Sequence, residues 1–511
     1  MKMGISSSSI LVLVLVCNFI LFSFSLGASS SSSSIHTNFV QCLRNVHDSA
    51  HHETSIPVYT ANTSNYSSIL QSTIQNLRFL SSSTLKPHLI ITPLEESHVQ
   101  AAVICSKKHG IQIKVRSGGH DFEGLSYVSD VPFVIIDLFN LRSISVDVEH
   151  STAWVQSGAT LGELYYSIAE KSRTLAFPSG VCTTVGVGGQ FSGGGYGTLL
   201  RKYGLAADNV IDARVVDANG RILDKESMGD DMFWAIRGGG GGSFEQGATA
   251  LVHKWQDVAH KLPQELFISV MLYVANTQEK GENLKTIIAS FTSLFLGAAE
   301  KLLIVMKERF PELGVESKDC IEMSWVQSTL YFARFPVEGS LDVLLNRTQI
   351  KKFYKAKSDY VKEPISQIGL EVIMKRLLEV NASMMTLSPY GGRMSEISES
   401  EIPFPHRDGN IFKMVYLVFW EEDQEGFKQA SEKHISWIRK LHKYLTPYVA
   451  KSPRTSYLNY RDIDLGQSKN GTASYLQGKV WGSKYFKSNY ERLVYVKSKV
   501  DSENFFRNEQ S

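Results

Sequence analysis

The chain has 511 residues, enough for at least two domains, and its 43% hydrophobic and 20% charged residues are ordinary globular composition. A net charge of +2 without any dense run of Lys and Arg argues against a nucleic-acid partner held through its phosphates. No metal centre is expected either, since His51 and His52 form a loop pair with no further ligands at useful spacing.

Lys2, the mostly apolar run Ile10–Phe24 and the small residues Gly27-Ala28 have the three regions of a secretory signal, and the run is too short to span a bilayer comfortably. Residues 1–28 are therefore expected to be removed. No later stretch reaches transmembrane length, so the expected product is soluble and secreted, extracellular or in the cell wall, with a vacuole or an ER-derived vesicle as alternative destinations. Sequons at Asn62, Asn65, Asn346, Asn381 and Asn470 fit a glycosylating route. Loss of Cys17 with the signal leaves Cys42, Cys105, Cys182 and Cys320, and spacing alone does not fix their pairing. A disulfide from Cys182 to Cys320 is one alternative; otherwise Cys320 reads as a buried thiol.

After the serine run Ser29–Ser34, Ile35–Ala50 reads as a short helix carrying Cys42. Leu89-Ile90-Ile91 reads as a strand, Pro93 to Ser97 opens a helix to about His109, and Ile111–Val115 is the next strand. Phe133–Leu138 and Ala153–Gln156 follow as strands and Thr160–Lys171 as a helix. Beyond a glycine-rich stretch, Asn209–Asp217 alternates like a strand and closes in a turn at Ala218-Asn219-Gly220. From Gln246 the character changes. Gln246–Leu262, Leu284–Leu296 and Pro364–Val380 read as amphipathic helices, the last with its proline at the tolerated first position. Leu266–Leu272, Leu302–Met306 and Phe412–Trp420 read as strands, so an antiparallel sheet backed by helices is expected.

The chemistry points to two glycine turns. Pro178–Gly197 holds eight glycines in twenty residues, which no packed helix or strand interior would gain from, so these glycines serve close backbone approach. Val181, Val185 and Val187 between them suggest short extended pieces, and Cys182 is more than a spacer needs; the alternative is a glycine-rich surface loop. The second turn, Val115-Arg116-Ser117-Gly118-Gly119-His120-Asp121-Phe122-Glu123-Gly124-Leu125-Ser126-Tyr127, follows a strand. Together the two turns resemble the flavin-binding segments of the berberine bridge enzyme-like oxidases of plants, within the vanillyl-alcohol oxidase superfamily. Ser456–Gly466, Trp481–Phe486 and Val500–Ser511 resemble that family's closing segments in the same order.

The resemblance implies an α+β fold: a two-subdomain, PCMH-type FAD-binding domain over residues 36–244, a substrate domain over 245–455, and a segment 456–511 returning to the first domain. It implies FAD joined covalently to both His120 and Cys182, a Cys42–Cys105 disulfide stapling the N-terminal segment, and a monomer acting on a small molecule and O2. The positions it assigns to the cofactor are Arg116, Ser117, Gly118, Gly119, His120, Asp121 and Ser126 in one turn. In the other they are Gly180, Val181, Cys182, Val185, Gly186, Gly189, Gly193, Gly194, Tyr196 and Gly197, with Val210 and Asn459 from elsewhere. Tyr196 matches the family's catalytic base and Lys413 the residue that keeps it ionised, an ammonium favouring the phenolate. On its own, Lys413 could equally snorkel to solvent from a strand edge.

Phe122 and Val415 stand where relatives acting on cinnamyl-type alcohols carry Tyr and Gln, so the substrate's polarity is open; Tyr457 and Tyr460 read as aromatic walls or as core. Val185 resembles the oxygen-reactive members, where a bulkier leucine resembles the dehydrogenases. The expected activity is oxidation of an alcohol, phenylpropanoid or carbohydrate, or of a related plant metabolite, with hydrogen peroxide as co-product. Oxidative cyclisation of a specialised metabolite such as an alkaloid is the alternative. A third expectation comes from a departure: after Gly238–Gly242, Ser243 and Phe244 the family continues with a strand and a proline-bearing connection, whereas this chain passes straight to Glu245-Gln246-Gly247. A direct junction cannot replace a strand, so an inactive or unstable product is the outcome if nothing compensates.

Overall fold

A computed structural model describes residues 37–46, 55–237, 249–279, 282–421, 427–468 and 474–510. The expected signal, His51, His52, Asn470 and the Phe244–Glu245 junction lie outside the described residues.

Four strands, β1 (Val58–Thr60), β2 (Leu89–Ile91), β3 (Gln112–Arg116) and β4 (Phe133–Asp137), form the first sheet in the order β1-β2-β4-β3. β2, β4 and β3 run parallel, which requires a crossover, and the helix Glu96–Lys108 supplies it between β2 and β3. Being covered on both faces, β2 and β4 are buried throughout, as their unbroken apolar runs demand. The helix at residues 37–46 packs Phe39 and Leu43 onto this core, where Cys42 bonds Cys105 across a Cα separation of 5.8 Å. Closing 63 residues of chain restricts the unfolded state by roughly 4 kcal/mol on the chain-entropy account. Asn62, Asn65, Asn346 and Asn381 are all exposed.

Next come two small hairpins, β5 (Ile144–Asp147) with β6 (Thr152–Val155) and β7 (Val215–Val216) with β8 (Ile222–Leu223). Between them the helix Leu161–Lys171 begins at Thr160, whose hydroxyl accepts from Glu163 N while the Glu163 carboxylate accepts from Thr160 N. The second sheet contains β9 (Leu266–Glu279), β10 (Glu282–Phe295), β11 (Phe353–Val361), β12 (Ser383–Pro389) and β13 (Phe412–Trp420), ordered β10-β9-β12-β13-β11 and antiparallel throughout. On β13, Phe412, Met414, Tyr416, Val418 and Trp420 join the core beneath the helices Thr249–Val258, Gln367–Leu377 and Phe427–Tyr444. Period-two alternation turns Lys413, Val415 and Leu417 to the opposite face, where the candidate site is built. The C-terminal segment returns to the first sheet: Lys114 on β3 pairs with Glu509 at 2.9 Å, and Gln112 donates to Arg507 O.

Several expectations are corrected. Leu284–Leu296 is strand β10, not a helix; its apolar residues fit a helical period, but fourteen-residue pairing with β9 outweighs that local signal. Leu302–Met306 is not a strand but the middle of the helix Ala299–Arg309, with Glu300 in its first turn, Lys307 and Arg309 in its last, and Met306 and Phe310 buried one turn apart. Asn209–Asp217 is strand only at Val215–Val216, since β8 is its one described partner and pairs two residues. The helix expected from Pro364 starts at Gln367 because the Ser366 hydroxyl accepts from Gly369 N, and it ends at Leu377. The Gln246–Leu262 helix is described from Thr249. Cys320 is half-buried after a short surface turn, its thiol donating to Glu316 O, and neither it nor Cys182 is in a disulfide.

Candidate active site

β3 ends at Arg116, whose buried guanidinium bonds the Asp137 carboxylate at 2.6 Å and donates to Ile69 O and Leu70 O. Arg116 is therefore an anchor for the turn that follows, with its side chain spent inside the first domain. In that turn Gly118 lies against Gly186 of the other glycine stretch: a Cβ on Gly118 would sit 2.3 Å from Gly186 N, and one on Gly186 2.3 Å from Gly118 N. Only glycine at both positions lets the two turns touch. Ser117 donates to Ser157 O and Gln349 to Gly118 O, so the contact is braced on both sides. Asp121 accepts from Glu123 N and Leu125 N and bonds Arg461 at 3.2 Å, which ties the turn to the C-terminal segment.

The close approach brings His120 and Cys182 to one place. His120 Nε2 lies 3.0 Å from Thr184 Oγ1, and Cys182 Sγ lies 3.7 Å from the same oxygen. The Gln75 amide nitrogen also lies against the imidazole edge, 2.9 Å from Nδ1 and 2.8 Å from Nε2. Desolvation pushes the His120 pKa down to about 4, so the ring is neutral at physiological pH. Desolvation raises the Cys182 thiol, opposed by hydrogen bonding from Thr184.

The rest of the glycine stretch is not a series of extended pieces. Thr183–Val187 runs against Ala159–Gly162 through backbone hydrogen bonds, but Val187–Ser192 is a six-residue helix, because the next backbone bonds fold back to Gly186 O. Gly180 O accepts from Tyr165 OH, and Val181 and Val185 are half-buried. Gly193 caps the short helix, Gly194 has φ +110°, and a Cβ on Gly197 would overlap Ser179 O. Asn459 donates to Gly189 O at 3.3 Å, and Val210 O accepts from Arg237.

Facing this stretch is an aromatic chamber on the free face of the second sheet. Phe122 stacks on Tyr460 with centroids 5.2 Å apart and rings 6° from parallel; Tyr460 OH lies 3.1 Å from Tyr196 OH. Lys413 is buried with its amine over the rings of Tyr196, Tyr457 and Tyr460 at 3.2, 4.1 and 4.6 Å, and it has no hydrogen-bond acceptor among the described residues. It does not snorkel; burial holds its pKa well below the ordinary lysine value. Val415 is buried beside it. Sequence reasoning missed Gln75, Thr184, Ser388 (3.4 Å from Tyr196 OH) and the walls Tyr360, Tyr390 and Phe404. The pairing of β11 and β12 with β13 sets Tyr360 and Ser388 beside Lys413, a register no local pattern reveals.

These residues suit a flat, polar-edged cofactor. Among the described residues, nothing lies within 4 Å of where a Gly189 Cβ would stand, and the buried Ser126 and Ser179 hydroxyls and the Lys413 amine have no hydrogen-bond partner. Residues 87–225 match the FAD binding domain family, and 456–511 match the berberine and berberine-like family. A tetrahydroberberine oxidase of Berberis wilsoniae is 55% identical over 93% of each chain. That alignment has 504 positions, more than 93% of 511 residues, so the relative carries residues that this chain lacks. Among solved structures, an Arabidopsis thaliana berberine bridge enzyme-like protein has a TM-score of 0.84 at 46% identity, covering 93% of this chain and 99% of its own. The grass pollen allergen Phl p 4 has a TM-score of 0.83 at 43% identity over 93% and 98%; its wild type is described as a glucose dehydrogenase and an isoleucine-to-valine variant as a glucose oxidase. With a relative this similar along nearly the whole chain, and with the glycine turns and aromatic chamber in place, the protein belongs to the berberine bridge enzyme-like family of FAD-linked oxidoreductases.

Proposed function

We propose that this protein is a secreted oxidase that holds FAD through His120 and Cys182 and takes a hydride from an alcohol or related plant metabolite. The observation that carries it is a chain of contacts that starts two residues from His120. Phe122 stacks on Tyr460, Tyr460 meets the Tyr196 hydroxyl, and Lys413 lies over the Tyr196 ring. The turn that carries His120 thus also supplies a wall of the chamber that holds the base. When bound, FAD supplies the hydride acceptor. Tyr196 takes the substrate hydroxyl proton at its phenolic oxygen, Lys413 favours the phenolate, and the rings of Phe122, Tyr457 and Tyr460 exclude water and orient the substrate. Arg116, Asp121 and Asn459 hold the two turns in place around the cofactor.

The walls favour an aromatic substrate over a sugar, because Phe122 and Val415 offer apolar surface where hydroxyl recognition needs donors. The same walls suit oxidation or cyclisation of an alkaloid, the second reading, supported by likeness to the tetrahydroberberine oxidase. Acid precipitation tests the attachment. The wild type should keep its yellow colour, His120→Ala and Cys182→Ala should each keep it through the other link, and the double variant should release it. Colourless wild-type precipitate would refute the assignment. A substrate panel coupled to peroxide detection then decides between alcohol and alkaloid.

A further inference from the structure

Thr184 stands between the two side chains assigned to covalent attachment. Its hydroxyl oxygen is 3.0 Å from His120 Nε2 and 3.7 Å from Cys182 Sγ. Besides Thr184, the imidazole has the Gln75 amide nitrogen beside it, 2.9 Å from Nδ1 and 2.8 Å from Nε2. An amide NH2 group donates and does not accept, so it cannot receive the N–H of a neutral imidazole. The Thr184 oxygen can. With the hydroxyl as the acceptor, the ring proton sits on Nε2 and Nδ1 keeps the lone pair, toward which the Gln75 amide donates. Having accepted there, the hydroxyl still has its own proton to give, and the Cys182 sulfur is within reach. A hydrogen bond donated to sulfur favours the thiolate, the nucleophilic form.

We propose that Thr184 is a positioning residue that prepares both attachment side chains at once, holding His120 as the Nδ1 nucleophile and steadying Cys182 as thiolate. The proposal rests on the doubly attached FAD reading. In each attachment one N–C or S–C bond forms, the side chain gives up one proton, and the flavin carbon loses one hydrogen as a proton. The two electrons left behind pass to dioxygen, which leaves with both protons as hydrogen peroxide. For His120 the proton released is the one on Nε2: it passes along the hydrogen bond to Thr184 Oγ1 while the hydroxyl gives up its own proton to solvent water, from which the peroxide takes it.

The test counts flavin-bearing peptides by mass spectrometry after acid precipitation and digestion of wild type, Thr184→Val and Thr184→Ser. Serine, which keeps the hydroxyl, should carry both links at near wild-type extent. Valine should lower the Cys182 link about tenfold, the scale of one hydrogen bond to a charged group, and lower the His120 link as well. Incubating the valine variant with FAD at increasingly alkaline pH should progressively restore the Cys182 link, because a growing share of the raised thiol then ionises without help, a rescue that a purely structural role would not show. If valine prevents folding, Thr184→Ala removes the hydroxyl without added bulk and decides the matter. Wild type lacking acid-stable flavin on either side chain overturns the doubly attached reading itself. Wild type with both links and a hydroxyl-free variant with the same extents overturns only the role of Thr184.

Discussion

The Lys413 amine lies 3.2 Å from the centroid of the Tyr196 ring, over its face and not against its hydroxyl, which meets Tyr460 OH at 3.1 Å. Burial drives the amine toward its neutral form, while three aromatic faces attract its cation. Removing the phenolic proton adds a full negative charge to the same ring system, so amine and phenol titrate as one unit.

Lys413→Met should therefore shift the pH dependence of flavin reduction upward, while Tyr196→Phe should slow reduction at every pH, by about 100-fold if the phenol is the general base. Stopped-flow reduction across pH checks both. Unchanged rates in both variants would remove the pair from the mechanism.

The same lysine has a stability cost of opposite sign to its use. Its folded pKa is below its unfolded value, so between the two the unfolded chain binds the extra proton and stability rises with pH. Replacing Lys413 with methionine, similar in volume and uncharged, should stabilise the protein at pH 7 by on the order of 1 kcal/mol and flatten that rise. Denaturant midpoints at neutral and alkaline pH measure it; a variant less stable than wild type at pH 7 would contradict it.

Val185 is expected to decide what reoxidises the flavin. Val185→Leu should leave reduction by substrate near wild type but slow reoxidation by dioxygen at least about tenfold, turning an oxidase toward a dehydrogenase. The isoleucine-to-valine variant of the pollen allergen, described as a glucose oxidase where the wild type is a glucose dehydrogenase, motivates the test. Oxygen-consumption and dye-reduction assays side by side give the answer.

Restoring a family-like strand between Phe244 and Glu245 should raise both stability and flavin content. Residues 210–214, expected as strand, lie outside any described sheet, and Ile211 is 64% exposed. A strand there would cover apolar surface and pair open backbone groups, together worth several kcal/mol, comparable with a domain's whole margin. Equal melting temperatures and equal flavin content in the two forms would mean the direct junction is tolerated.

What was legible in the sequence follows the range of the forces involved. The strand–helix–strand opening, the helix from Thr160 to Lys171 and the strand Phe412–Trp420 were readable because their signals are local. β10 and the helix Ala299–Arg309 were exchanged because each carries an apolar run whose state is settled by what it pairs with or packs on, β9 in the one case and the core in the other, and not by the run itself. The two glycine turns located the site through resemblance, yet Thr184 and Gln75 went unnoticed: a threonine and a glutamine have meaning here only once Gly118 and Gly186 are in contact.

Lys114 sits in β3, near the beginning of the first domain, and its charge is neutralised by Glu509, 395 residues further along the chain. Both side chains are nearly out of water. During synthesis, then, the lysine in the first sheet waits for its carboxylate until Glu509 has been made, and the sheet is completed long after its own strands have been translated. A truncation that removes Glu509 should leave the first domain as an open, degradable intermediate.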